Sequence, residues 1–265
     1  MNDCAIKAEG LGKQFRYSLL DSKHQTDKDQ TYADGMEQYF DGALGSTVDK
    51  LRNFTKFVPR QSLSIFLAKH ELFKLAQNAH GNIVECGVHL GGGLMTWAQL
   101  CAIYEPYSHV RRIIGFDTFT GFTAVSAKDQ GAPVQFKTEG GLATEAEEDL
   151  QECIRLFDLN RPIGHIPKIE LVKGNACLTI PEYVERNQHL VVSLLYLDFD
   201  LYEPTKVALE IFLPRMPKGA MIAFDELNQE RWPGETLAVL ETVGIRNLRI
   251  QKIPFTPGMS YAVIE

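Results

Sequence analysis

The sequence predicts an α/β fold with a doubly wound, mostly parallel sheet of seven strands, helices on both faces and a helical N-terminal extension. Three observations support this fold class. Beyond about residue 80, short apolar runs alternate with helical stretches, a pattern typical of parallel strands buried on both faces. The last two apolar runs have no helical pattern between them, which predicts a C-terminal antiparallel hairpin. Before residue 60 the chain is polar, which indicates an extension rather than a core.

Taken in order, the elements follow from the spacing of apolar residues. Apolar residues at helical intervals predict short helices over 35–57 and a stronger amphipathic helix over 60–79. The predicted strands lie near 83–86, 112–116, 169–172, 191–197, 220–224, 248–252 and 260–264. The predicted helices of the sheet region lie near 92–103, 145–157, 180–186, 204–213 and 234–243.

The domain organisation is an extension over 1–60 followed by one catalytic or binding domain over 61–265. The charged stretch 21–30 has no clear hydrophobic period, which is typical of an extension and not of a core. Two roles for the extension stay open. It is either a lid over a ligand site or part of a subunit interface.

Composition excludes several classes of protein. With 45% hydrophobic and 23% charged residues in 265, the chain is long enough for one large domain plus an appendage and is not disordered. No apolar run approaches the roughly 20 residues that cross a bilayer, so we expect no membrane partner and a cytoplasmic location. The five scattered cysteines are typical of reduced thiols. A net charge of −7 argues against nucleic acid and favours a small-molecule partner.

Four carboxylates stand at the ends of two apolar segments. Asp198 and Asp200 follow 194–197, and Asp225 and Glu226 follow 220–224. If these segments are neighbouring strands, the acidic groups meet, which is strongly unfavourable without a cation. A hard divalent ion bound by oxygen removes that penalty. The alternative is that the carboxylates face solvent or cap the helices that follow.

A glycine turn directly after the first strand predicts a nucleoside-containing cofactor. The turn contains Gly87, Gly91 and Gly92, and Asp117 at the end of the next strand is placed to bind ribose hydroxyls. A dinucleotide prefers the spacing Gly-x-Gly-x-x-Gly, whereas this turn reads Gly-x-x-x-Gly-Gly and follows Glu85. An extra carboxylate is unhelpful beside a pyrophosphate but favourable beside the amino group or sulfonium of S-adenosylmethionine.

Five motifs together resemble the macrocin O-methyltransferase family. They are Ile-Val-Glu-Cys-Gly-Val at 83–88, Gly-Phe-Asp-Thr-Phe-Thr-Gly-Phe at 115–122, Val-Lys-Gly at 172–174, Leu-Asp-Phe-Asp-Leu-Tyr-Glu-Pro-Thr at 197–205 and Phe-Asp-Glu at 224–226. The resemblance runs from about residue 60 to the C-terminus. It implies a class I, Rossmann-like methyltransferase domain that uses S-adenosylmethionine and Mg²⁺ to methylate sugar hydroxyls in natural-product biosynthesis. It also implies a homo-oligomer.

The resemblance further implies a role for each matching residue. Asp198, Asp225 and Glu226 fall on metal-ligand positions, and Asp200 on that of a general base. Glu85, Gly87 and Asp117 fall on cofactor-binding positions. The predicted cofactor-binding set also includes Val88, Gly91, Gly92, Thr118, Gly174, Asn175 and Asp198, although the family commonly has an acid in place of Asn175. The family usually has Asp-Asp where this chain has Asp225-Glu226, so the second ligand is one methylene longer.

The main hypothesis is therefore a Mg²⁺-dependent sugar O-methyltransferase. Its acceptor is a nucleotide-linked deoxysugar, a glycosylated natural product or a polysaccharide precursor, and adjacent hydroxyls chelating Mg²⁺ become oriented and more acidic. Asp200 then takes the proton. Two alternatives stay open: a catechol-type methyltransferase with the same metal geometry, and a non-catalytic nucleoside-binding module. An NAD-dependent oxidoreductase fits less well, because it gives the four carboxylates no role.

Overall fold

A computed structural model describes residues 27–134 and 136–265 of the chain. Residues 21–26 of the charged stretch lie outside these described residues, as does the rest of the extension before them. The chain divides into two compact units between Ser62 and Leu63. None of the helices in the described ranges is long and apolar enough to cross a membrane.

The described part of the first unit is helical. Helix α1 spans Asp27–Gly42 and α2 spans Thr47–Arg52, followed by a 3₁₀ turn at Phe54–Lys56. Helix α1 thus begins inside the charged stretch, before the region 35–57 in which the sequence predicts short helices. Asp27 and Asp29 lie in the first turn of the helix, where negative charge interacts favourably with the helix dipole.

Helix α3 spans Arg60–Ala76, so it begins where the sequence predicted and ends slightly earlier. Its buried residues lie in the second unit and include Lys69, an unusual residue for a buried helix face.

The second unit contains the predicted sheet. Its strands are β1 Asn82–Cys86, β2 Ile113–Asp117, β3 Ile169–Lys173, β4 Val192–Leu197, β5 Met221–Phe224, β6 Gln251–Lys252 and β7 Ser260–Val263. Their order across the sheet is β3-β2-β1-β4-β5-β7-β6. Strands β1 to β5 are parallel, whereas β7 pairs antiparallel with both β5 and β6. The predicted fold class is confirmed.

The last pair is shorter than expected. The predicted strand over 248–252 is reduced to Gln251–Lys252, and both of its residues are exposed. A 3₁₀ turn at Ile245–Asn247 occupies the chain just before it. This strand lies at the edge of the sheet and pairs with β7 only, so it buries little apolar area.

Helices cover the sheet on both faces. They are α4 Gly92–Tyr104, α5 Glu147–Asn160, α6 Ala176–Arg186, α7 Tyr202–Phe212 and α8 Pro233–Thr242. Helix α6 begins four residues before its predicted start at 180, because Asn175 caps it. The Oδ1 atom of Asn175 accepts a hydrogen bond from the backbone N–H of Cys177 at 3.0 Å.

Two apolar layers lie on opposite faces of the sheet, because successive strand residues point in opposite directions. Val84 and Leu195 pack with residues of α6, α7 and α8 on one face. Ile83 and Leu194 pack with residues of α3, α4 and α5 on the other. All four of these strand residues are at most 1% exposed.

The strand order also determines where a crevice forms at the carboxyl edge of the sheet. From β1 the chain proceeds outward through β2 and β3, then returns to the other side of β1 with β4 and β5. The loops after β1 and β4 therefore leave the carboxyl edge in opposite directions. In open α/β sheets such a switch point is where ligands bind, and the predicted acidic residues and glycine turn both lie there.

Candidate active site

An acidic cluster lies at the carboxyl ends of β4 and β5. One carboxylate oxygen from each of Asp198, Asp200 and Glu226 lies within 4.8 Å of the others. Asp198 and Asp200 follow β4, and Glu226 follows β5, its parallel neighbour. Asp200 adopts a left-handed backbone conformation with φ of 62°. An aspartate tolerates this conformation better than most residues, and it turns the chain immediately after Asp198.

Burial and like charge act together on the cluster. Burial raises the pKa of Asp198 well above its ordinary value, and the charges of Asp225 and Asp200 raise it further. Burial followed by the charge of Asp225 raises the pKa of Asp200 to about 7. The pKa of Glu226 is raised well above its ordinary value by the same two causes. The carboxylates therefore need a proton or a cation among them.

The donor set fits a hard divalent cation. Carboxylate oxygens are the ligands that Mg²⁺ and Ca²⁺ prefer. Glu226 is 8% exposed, and its Oε2 atom is buried without a hydrogen-bond partner among the residues that the structure describes. The longer Glu226 side chain thus reaches the cluster.

Asp225 is held by a tyrosine. The phenol hydroxyl of Tyr196 donates a hydrogen bond to Oδ1 of Asp225 at 2.7 Å. Asp225 directly precedes Glu226 in the chain, and after burial its charge is the largest cause that raises the pKa of Asp198, Asp200 and Glu226. Of the three predicted ligands, the structure brings Asp198 and Glu226 together with Asp200. The remaining predicted ligand, Asp225, lies beside this group.

The glycine turn lies next to this cluster. At Gly87, φ is 98° and an added Cβ would lie 1.9 Å from the backbone oxygen of Asp198, so only glycine lets the ends of β1 and β4 approach this closely. Gly91 has φ of 84° and immediately precedes α4, which begins at Gly92. A Cβ on Gly92 would meet nothing within 4 Å.

Asp117 binds the glycine turn itself. Its Oδ2 atom accepts hydrogen bonds from the backbone N–H groups of Val88 at 2.7 Å and His89 at 2.8 Å. Its Oδ1 atom accepts one from the N–H of Phe119 at 2.6 Å. Asp117 therefore holds the turn after β1 against the end of β2. Because a carboxylate offers about four acceptor positions, this leaves capacity on Oδ1 for a ligand hydroxyl.

Glu85 is paired with a lysine. Its Oε1 atom accepts a hydrogen bond from Nζ of Lys69 at 2.8 Å, and the two side chains are 2% and 3% exposed. Burial raises the pKa of Glu85, and the charge of Lys69 opposes that shift. Glu85 is predicted to lie beside the cofactor, and the sequence gives no sign of this lysine partner. Lys69 supplies a positive charge there already, because α3 packs on this face of the sheet.

Three other predicted cofactor positions make local contacts. Thr118 donates from Oγ1 to the backbone oxygen of Gly121 at 2.7 Å, and Gly174 donates its N–H to the backbone oxygen of Asp117 at 2.9 Å. Asn175 caps α6. These contacts shape the loops after β2 and β3, and cofactor contact by the three residues stays a prediction.

The loop over 118–146 is fastened beside the cluster. The buried Asp129 accepts a hydrogen bond at Oδ1 from the N–H of Tyr202, the first residue of α7, at 2.6 Å. Lys137 donates to the backbone oxygens of Asp129, at 3.1 Å, and Arg231. The rings of Phe122 and Trp232 meet edge to face, with centroids 5.8 Å apart. The loop thereby joins the segments that follow β4 and β5.

A family model matches residues 67–239, which include the turn after β1, Asp117, and the acidic ends of β4 and β5. That model describes macrocin O-methyltransferase (TylF). The chain belongs to the macrocin O-methyltransferase family. As a member of that family it is an S-adenosylmethionine-dependent O-methyltransferase, which confirms the resemblance recognised in its motifs.

Solved structures agree with the family assignment. The methyltransferase is 32% identical to CalS11, a calicheamicin methyltransferase, over 91% of this chain and 94% of that one, with a TM-score of 0.86. An apo structure of CalS11, described as a TDP-rhamnose 3'-O-methyltransferase of calicheamicin biosynthesis, is 31% identical over 92% and 99% of the two chains, with a TM-score of 0.79.

A more distant structure shares the fold. The O-methyltransferase NovP is 20% identical over 74% of this chain and 79% of that one, with a TM-score of 0.57. No curated protein sequence matches the chain significantly.

Sequence reasoning missed three buried residues of the methyltransferase site. Lys69 pairs with Glu85, and Tyr196 donates a hydrogen bond to Asp225. Glu235, in the first turn of α8, is fully buried and accepts a hydrogen bond from the backbone N–H of Glu226 at 3.1 Å. The signal available in the sequence was a polar residue among apolar neighbours. Such a residue is rarely buried without a partner, so it indicates a buried polar contact.

Proposed function

We propose that this methyltransferase transfers the methyl group of S-adenosylmethionine to a sugar hydroxyl in secondary metabolism, with Mg²⁺ bound by Asp198, Asp225 and Glu226. The acidic cluster is the observation that carries this proposal. It brings Asp198 and Glu226 together with Asp200 in a crevice beside the glycine turn, and Asp225 directly precedes Glu226 in the chain. Carboxylate oxygens of this kind fit a divalent cation. Family membership and the similarity to CalS11, described as acting on TDP-rhamnose, support a nucleotide-linked deoxysugar as the acceptor.

The bound groups and the residues around them have different roles in the proposed reaction. When bound, S-adenosylmethionine supplies an activated methyl group, and Mg²⁺ orients and acidifies the hydroxyls of an acceptor diol. Asp200 accepts the proton of the reacting hydroxyl, since its carboxylate lies within 4.8 Å of those of Asp198 and Glu226.

The surrounding elements exclude water and set the acceptor pocket. The loop over 118–146 is held to α7 through Asp129, and Lys137 joins it to the segment carrying Trp232. The Nζ atom of Lys137 lies 4.6 Å from the centroid of the Trp232 ring. We propose that Trp232 and Phe122 form one wall of the acceptor site.

Methyl transfer tests the proposal directly. The purified protein is incubated with S-adenosylmethionine and TDP-rhamnose in Mg²⁺ or in EDTA, and products are analysed by mass spectrometry for the gain of one methyl group. We expect a methylated sugar in Mg²⁺ and none in EDTA. Asp198→Asn should abolish Mg²⁺-dependent transfer, whereas Asp149→Asn, at an exposed position on α5, should not change it.

A second variant distinguishes the proposed general base, Asp200, from the proposed metal ligands. Asp200→Asn should lower turnover by about 10²- to 10⁴-fold, the usual contribution of a general base, with little change in Mg²⁺ affinity. Equal turnover in EDTA and Mg²⁺ would remove the metal from the mechanism. Methylation of a catechol in preference to the sugar would reassign the acceptor class.

A further inference from the structure

The ammonium group of Lys69 is buried against two aromatic rings. Nζ of Lys69 lies 3.5 Å from the centroid of the Tyr196 ring and 4.7 Å from that of Trp97. The same atom forms the ion pair with Glu85. A lysine desolvated against aromatic faces is attracted by their negative quadrupole, and the attraction is stronger when water is excluded. Lys69 therefore fixes the Tyr196 ring from one side.

Strand register places these groups side by side. Glu85 in β1 pairs with Tyr196 in β4, and Tyr196 pairs with Ala223 in β5. Side chains at paired positions of parallel strands lie on the same face of the sheet. Glu85, Lys69 and Tyr196 thus form a row, which ends at Asp225 through the hydrogen bond from the Tyr196 hydroxyl.

The first turn of α4 packs against this row. A Cβ added at Gly93 would lie 2.1 Å from Oε1 of Glu85 and 2.6 Å from Nζ of Lys69. The glycine therefore allows the helix to approach the ion pair closely. Without a side chain at this position, the ion pair keeps its geometry while the helix excludes water from it.

Stability alone does not account for a buried ion pair. Desolvating both charges offsets most of their attraction, and well-packed apolar residues of similar size are often as stable or more stable. Glu85 also retains an Oε2 atom that is buried with no hydrogen-bond partner in the described ranges. A row that costs desolvation energy and ends at Asp225, beside the acidic cluster, is better explained by its effect on the Asp225 carboxylate.

We propose that Tyr196 and Lys69 are positioning residues that orient Asp225 for metal binding. This inference rests on the proposed Mg²⁺ site. The Tyr196 hydroxyl engages Oδ1 and limits rotation of the Asp225 carboxylate, and Lys69 holds the ring that carries the hydroxyl. Partners that hydrogen-bond to metal-binding carboxylates typically change metal affinity by about 10- to 100-fold when they are removed.

Tyr196→Phe tests the proposal with the smallest change. Mg²⁺ alone is titrated into the full-length protein, without acceptor or S-adenosylmethionine, and its dissociation constant is measured by calorimetry. We expect Mg²⁺ binding to weaken by about 10- to 100-fold. Tyr183→Phe is the matched control, because the buried Tyr183 also donates to a carboxylate, Oε2 of Glu170 at 2.9 Å, but from α6 on the opposite face of the sheet. Its Mg²⁺ affinity should equal that of the wild type.

Lys69→Met tests the second link. Because Lys69 acts through the Tyr196 ring, we expect it to weaken Mg²⁺ binding and to add little in the Tyr196→Phe background. Lys168→Met is its control, since Lys168 is a 5% exposed lysine that donates to the backbone oxygen of Ser108 at 2.9 Å. If Lys69→Met does not fold, Tyr196→Phe decides alone.

The outcomes separate two failures. Wild-type protein that binds no Mg²⁺ refutes the proposed metal site, and the positioning role with it. Wild-type protein that binds Mg²⁺ with the same affinity as Tyr196→Phe refutes the positioning role only. Equal weakening by Tyr183→Phe also overturns it, because the effect would then reflect general loosening of the fold.

Discussion

Replacing Gly87 by alanine tests whether the close approach of β1 and β4 builds the site. An alanine Cβ at this position would lie 1.9 Å from the backbone oxygen of Asp198, whereas real Cβ contacts essentially never fall below 3.0 Å. The ends of the two strands must therefore separate by about 1 Å. The obstacle is backbone, so no side-chain rotation can relieve it.

The magnitude follows from two costs. Alanine at φ of 98° is strained by about 1 to 2 kcal/mol, as expected for a residue with Cβ in left-handed conformation. The separation also stretches the 2.8 Å hydrogen bond from the N–H of Asp198 to the backbone oxygen of Cys86, and an unmade buried hydrogen bond costs about 1 to 3 kcal/mol. Gly87→Ala should therefore lower the free energy of unfolding by about 2 to 5 kcal/mol.

Chemical denaturation measures this loss, and Gly92→Ala provides the control from the same turn. A Cβ on Gly92 meets nothing within 4 Å, and Gly92 is the first residue of α4, so this substitution should leave stability unchanged or raise it by up to about 1 kcal/mol. Gly87→Ala should also weaken Mg²⁺ binding, because it displaces Asp198. A variant that unfolds at the wild-type denaturant concentration would refute the reasoning from close approach.

Three further predictions concern stability, the metal and the acceptor. Arg111→Met should lower the free energy of unfolding by about 3 to 5 kcal/mol without changing Mg²⁺ affinity. The reason is that Arg111 is only 8% exposed, pairs with Glu105 and donates to backbone oxygens before β1. Chemical denaturation measures the first effect and calorimetry the second. Mg²⁺ at 100 times its dissociation constant should stabilise the protein by about 2.7 kcal/mol, seen as a rise in Tm that is absent in Asp198→Asn. Trp232→Ala should raise the acceptor KM about tenfold while S-adenosylmethionine affinity is unchanged; steady-state kinetics that show no change in KM would remove Trp232 from the acceptor wall.

The sheet was predictable because its signals are local. Parallel strands buried on both faces are short continuous apolar runs, so β4 and β5 are visible in the sequence without knowledge of their neighbours. The positions of Asp198 and Glu226 at the ends of those runs follow directly. Helix boundaries were less predictable where a cap decides them, as at Asn175, or where charged residues begin a helix, as at Asp27.

The composition of the acidic cluster required the tertiary structure. The left-handed backbone at Asp200 turns its carboxylate toward Asp198 and Glu226, and the hydroxyl of Tyr196 holds Asp225 beside them. No local pattern encodes such contacts, because they join residues brought together only by strand order and by the turn after each strand.

By itself, the sequence determined the fold class, the carboxyl edge that carries the acidic residues and the family to which the methyltransferase belongs. Periodicity and motif spacing depend on neighbours along the chain, so they survive without coordinates. Only the tertiary structure decided that Lys69 on α3 pairs with Glu85 on β1, and that Glu235 on α8 supports Glu226 after β5. Those contacts depend on helices packing on the sheet, where buried charges must find partners that are distant in sequence.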